Sequence, residues 1–173
     1  MKTDIITIDN RGNGREAAQA QVNMAAQARG LSEKETLQMT ILTEELMGLA
    51  RSVTGELTAS FWIESEAKRF SLHLCTRTEM DAKKRYQLLS SATSGKNEAA
   101  RGFIGYLRDK FENAILSGDD GIYYDSCGRM MNEAPEDSEW DRYERSILRR
   151  FADEIRIGVK GGLVEIEVVK TFA

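Results

Sequence analysis

The sequence predicts an α+β fold, a two-layer sandwich in which a mainly antiparallel sheet carries helices on one face. Three observations predict it. The elements run strand, helix, helix, hairpin, helices, hairpin. Two pairs of alternating apolar runs are each joined by a short connection, as antiparallel hairpins require. The regular strand–helix alternation of a doubly wound parallel sheet is absent. The chain has 173 residues. At roughly 150 residues per domain that is one domain, spanning 1–173 and long enough to bury a full core without staples.

The elements follow in order. Thr3 to Ile8 reads as a short strand, and Asn10 to Gly14 as a turn. Arg15 to Arg29 is an Ala-rich helix closed by Gly30, where a left-handed cap fits. Ser32-Glu33-Lys34-Glu35 is a capping box that opens a second helix, running to about Val53 and ending before Gly55. Leu57, Ala59, Phe61 and Ile63 share one strand face. Phe70, Leu72 and Leu74 share a face of the next strand, and Ser65 to Lys68 connect the two. Asp81 to Leu89, Glu98 to Leu116 and Trp140 to Ala152 read as helices. The last hairpin sets Ile155, Ile157 and Val159 against Val164, Ile166 and Val168 around Gly161-Gly162.

One stretch departs from this regularity. Ser117 to Glu139 holds seven acids against Arg129 alone, with three glycines and the only proline, Pro135. It reads as a long loop or lid, and long loops inside compact domains are usually functional or disordered. Tyr123-Tyr124 and Met130-Met131 within it suit either folding back onto the domain or a protein partner.

Composition narrows the function classes. Lys+Arg 24 against Asp+Glu 28 gives a net charge of −4, which argues against a polyanion binder, so no direct nucleic-acid contact is expected. No apolar run approaches the roughly 18 residues of a membrane span. Met1 to Asn10 carries Asp4 and Asp9 and lacks a signal-peptide pattern. Cys75 and Cys127 form no framework. The expected location is the cytoplasm. His73 and two distant cysteines lack metal-ligand spacing, so no metal site is expected from them. Asp119, Asp120 and Asp125 lack the spacing of a calcium loop. Gly95-Lys96 is no P-loop, because the spacer and the following Ser/Thr are missing. Lys96, Arg101, Arg108 and Lys110 are interleaved with acids and read as a solvated face.

Three stretches carry a family likeness. Gly30-Leu31-Ser32-Glu33 runs into Leu42-Thr43-Glu44-Glu45-Leu46; Arg69 to Thr76 forms a strand, RFSLHLCT; and Trp140 to Val168 gives a helix and two closing strands. Together they resemble the GHKL superfamily, the histidine-kinase-type ATPases, and within it the anti-sigma-factor serine kinases. The likeness covers the chain outside roughly 77–139, which reads as a rebuilt lid or insertion.

The resemblance implies a site. In the family a Glu of the second helix works at the γ-phosphate, and an Asn one turn later binds Mg²⁺; residues four apart do share a helix face. Here the Glu is Glu44 and the Asn position is Gly48, which has no ligand atom. At about 100° per residue, Glu44, Gly48 and Arg51 lie with Leu37 and Ile41, opposite a core arc of Met39, Leu42, Leu46, Leu49 and Val53. The family's adenine-reading Asp falls at Thr76, and its glycines at Thr78 and Met80. For the glycine-rich lid the candidates are Gly95-Lys96 and Gly102 to Gly105 in RGFIGYLRDKF.

By this resemblance the expected function is a regulatory protein-binding domain with a degenerate nucleotide site and no catalysis. Glu44 is the vestigial catalytic candidate. Gly48, Thr76, Thr78 and Gly102 stand at the cofactor-binding positions. No cofactor is expected; ATP and Mg²⁺ enter only if the site still works. The implied partner is a protein of the sigma-factor or antagonist type, and a homodimer is compatible with this. Two alternatives stand beside it: an active ATP-dependent serine/threonine kinase or ATPase, and a small-molecule binder in the vacated pocket.

Overall fold

The computed structural model describes residues 1–54, 58–100 and 147–173. The acidic stretch Ser117 to Glu139, Gly102, Cys127, and most of the expected helices Glu98 to Leu116 and Trp140 to Ala152 lie outside these residues.

The fold is α+β around a five-stranded, wholly antiparallel sheet. In chain order the elements are β1 (Ile6–Asp9), α1 (Arg15–Ala28), α2 (Glu33–Thr54), β2 (Thr58–Glu66), β3 (Arg69–Arg77), α3 (Ala82–Ser91), a 3₁₀ turn at Glu98–Ala100, β4 (Glu154–Lys160) and β5 (Leu163–Thr171). Residues 147–151, directly before β4, are helical. Across the sheet the strands run β1-β2-β3-β5-β4.

Local signals set the element ends. Ser32 N–H donates to Glu35 Oε2 at 2.7 Å, and Glu35 N–H reaches back to Ser32 Oγ at 3.4 Å. This reciprocal pair caps α2, as the sequence predicts. Asp81 caps α3 by accepting from Lys84 N–H at 2.7 Å. Gly30 closes the turn after α1 with φ +65.

Two boundaries differ from expectation. Ser65 and Glu66 belong to β2, so the hairpin turn is Ala67-Lys68 alone. The first strand begins at Ile6 rather than Thr3. The residues before it still pair, because Thr3 exchanges backbone and side-chain hydrogen bonds with Ile63. Lys2 stands opposite Glu64 and Ile6 opposite Phe61, so the N-terminal segment carries one extra residue. That is a bulge, and it leaves Ile5 60% exposed.

Strand alternation divides the sheet into two faces. Phe61, Ile63, Phe70, Leu72, Leu74, Ile157 and Ile166 are buried on the inner one. The helices cover it with Val22 of α1, Met39, Leu42, Leu46 and Leu49 of α2, and Leu88 of α3. The core arc expected of α2 is therefore buried wherever its side chains are described. No helix among the described residues is long and apolar enough to cross a membrane.

Candidate functional site

The α2 arc opposite the core presents Glu44. Glu44 is exposed, and its carboxylate accepts from Arg15 Nη2 at 3.3 Å. Pairs this exposed contribute at most about 1 kcal/mol. Arg15 opens α1 and is presented by the β1–α1 turn. Asp9 organises that turn, accepting from Arg11 N–H at 2.8 Å, Asn13 N–H at 3.0 Å and Asn13 Nδ2 at 2.7 Å. These bonds, the Asn13 side chain foremost, hold the Asp9 carboxyl below its usual range. Gly14 is required here: its φ is +79, and a Cβ would stand 2.1 Å from the Thr7 carbonyl oxygen. Between turn and helix lies a cavity of about 90 Å³, lined by Asp9, Asn13, Arg15, Glu44, Met47 and Arg51 among others. The structure thus joins Glu44 to the β1–α1 turn, a proximity no local motif announces.

The other motif positions are engaged elsewhere. Gly48, one turn beyond Glu44, is buried. Thr76 is inward-facing on β3 and 3% exposed, and its hydroxyl donates to the Thr58 carbonyl at 2.9 Å. Thr78 follows β3, and its N–H donates to the Gly162 carbonyl at 2.8 Å. A Cβ on Gly162 would lie 2.6 Å from Thr78 O, so the β4–β5 turn is pressed against this segment. Neither threonine lines the cavity beside Glu44. Gly102 lies outside the described residues.

A second arrangement forms on the outer face of the sheet. Register places Trp62, His73, Glu167 and Arg156 in one row across four strands. The Trp62 and His73 rings stack with centroids 4.8 Å apart and planes 4° from parallel. Arg156 is clamped by Glu154 at 2.6 Å and Glu167 at 3.1 Å, which drives its pKa upward from an already high value. Burial lowers the pKa of His73, with Glu167 and Glu64 pulling the other way, and its Nε2 is buried with no hydrogen-bond partner among the described residues. The neighbouring row is Ser60, Cys75, Glu165 and Gly158. Burial, then Glu165, pushes the Cys75 thiol up, away from the reactive thiolate.

A cavity of about 310 Å³ opens along these two rows, bounded by Trp62, His73, Arg156, Glu165 and Glu167, with Glu98 and Ala99 of the 3₁₀ turn at its rim. Sequence reasoning placed no site here. Alternation alone assigns each of these residues to the outer face. Their alignment depends on the pairing of four strands, two of them some eighty residues away in the chain.

Compared with models of known protein families and with curated proteins, the chain matches none.

Proposed function

We propose that the chain is a regulatory protein-binding domain, on a scaffold resembling that of the anti-sigma-factor kinases, which acts by contact rather than by phosphoryl transfer. The observation that supports this is how the motif positions are used. Phosphoryl transfer is chiefly positioning and charge neutralisation, and it needs groups free to meet the nucleotide. Glu44 is exposed and only weakly paired with Arg15, but the Mg²⁺-ligand position one turn on is a buried glycine. The adenine-reading position is a threonine whose hydroxyl serves the Thr58 carbonyl. The Thr78 N–H serves Gly162. The residues present do not fit Mg²⁺-ATP, since a hard cation on phosphates wants oxygen ligands that Gly48 does not supply.

The test is calorimetric titration of the whole chain with ATP, with and without Mg²⁺, followed by titration against sigma factors and antagonist proteins of the same genome. The expected result is no saturable nucleotide binding at millimolar concentration, and saturable binding to one protein. Micromolar, Mg²⁺-dependent ATP binding that weakens on Glu44→Ala would instead establish a kinase or ATPase.

A further inference from the structure

We infer that the trough on the outer face of the sheet binds an organic cation, a guanidinium or primary ammonium group, through the Glu165 carboxylate beside the Trp62–His73 wall. The trough lies on the sheet face opposite α2 and draws on no motif position, so the inference is independent of the proposed function.

Side-chain size makes the trough. The row Trp62, His73, Glu167, Arg156 is tall, while Gly158, which lines the space from the adjacent row, has no side chain. Gly158 leaves β4 open, and a Cβ there would stand 3.5 Å from the Ala99 backbone nitrogen. The 3₁₀ turn therefore closes that end without filling it. The resulting 310 Å³ matches the lower end of ligand sites, about 300 to 1,000 Å³.

Charge decides the ligand class. Among the described residues, Glu165 and Glu167 line the space with Arg156, and Glu98 stands at its rim. The Arg156 guanidinium is already satisfied by Glu154 and Glu167, so it offers little to an anion. His73 is neutral at pH 7, because burial disfavours its charged form. Glu165 is exposed and forms no ion pair among the described residues. An anion would meet the Glu165 carboxylate with no free cation beside it among the described residues, whereas a cation with several N–H donors would meet Glu165 directly.

The same sheet face already holds one cation in this manner. The Lys2 ammonium lies 2.9 Å from Glu64 and 5.4 Å from the Trp62 ring centroid. Ring and carboxylate together hold an ammonium better than either alone. Glu64 lies along the strand on one side of the aromatic row, and Glu165 on the other. The trough thus repeats, with room to spare, the ingredients that the chain uses for its own lysine.

The cation has two sources, a free amine or guanidine metabolite and an arginine side chain on a protein. The whole chain, ¹⁵N-labelled, would be titrated with agmatine and separately with a short arginine-containing peptide, following the Trp62 indole resonance. Trp140→Phe assigns that resonance, since the chain has 2 tryptophans. The expected result is a saturable Trp62 shift that weakens with salt and loses about tenfold in affinity in Glu165→Gln, with Glu79→Gln unchanged. Gly158→Val, which fills the trough, should abolish the shift. Equal affinity for agmatine and peptide assigns the site to a free cation; preference for the peptide assigns it to a protein-borne arginine. Absence of saturation with both probes, unchanged affinity in Glu165→Gln, or an equal response to acetate overturns the inference. The ATP titration bears on none of these outcomes.

Discussion

His73 shows what a single residue costs in this fold. Its ring is stacked on Trp62, and Glu64, Glu165 and Glu167 lie around it, with the Lys2 ammonium opposing its charge. Burial outweighs the carboxylates and keeps the folded-state pKa below the ordinary 6.5. The sign of the linkage follows. As pH falls through 6.5, the unfolded chain takes up a proton that the folded chain refuses, so stability falls with pH until the lowered folded-state pKa is reached. His73→Gln should therefore flatten part of the loss of Tm between pH 7 and pH 5, measured by thermal melts at half-unit steps. Wild type and variant falling in parallel would show that the imidazole titrates freely. Thr76 makes the complementary case: its hydroxyl donates to the Thr58 carbonyl and so holds the end of the β2–β3 pair together.

At the scale of elements, local chemistry was legible and long-range pairing was not. The α2 boundary could be read because Ser32 and Glu35 are three residues apart and form their own reciprocal bonds. Ser32→Ala should lower stability by about 1 kcal/mol, a fall in Tm of about 2–4 °C for a chain of this size. Calorimetry checks this, and an unchanged Tm would mean that α2 is held by its packing alone. The core arc of α2 was equally readable, because helical period fixes it. The bulge before β1 was not, since the extra residue is defined only against Ile63 and Glu64 of β2. The outer-face trough was hidden for the same reason. Strand alternation gives each side chain its face, but the row Trp62–His73–Glu167–Arg156 exists only after four strands are in register.

For the molecule as a whole, the sheet order makes its two edges unequal. β3 lies at the centre with partners on both sides, and β1 and β4 are the edges. Edge strands present unpaired backbone groups, which folded proteins usually cover. β4 is covered by side chains of the segment after α3. Thr93 Oγ1 accepts from Ile155 N–H at 2.7 Å, and Thr93 N–H donates to Ile155 O at 2.9 Å. Asn97 does the same four residues further along β4, two beyond its isolated bridge to Ile157, accepting from Val159 N–H and donating to Val159 O, both at 2.8 Å. Thr93 and Asn97 thus imitate a sixth strand, and the same segment delivers Glu98 and Ala99 to the trough. Hydrogen exchange should find the Ile155 and Val159 amides protected although they face outward from an edge. Asn97→Ala should speed Val159 by about tenfold, the loss of one half-buried hydrogen bond, while β3 amides stay unchanged. If Val159 in the wild type already exchanges as fast as the Ala67 turn amide, the edge is open, and the 3₁₀ turn has no fixed place beside Gly158. The integrity of the trough and the protection of this edge therefore stand or fall on the same asparagine.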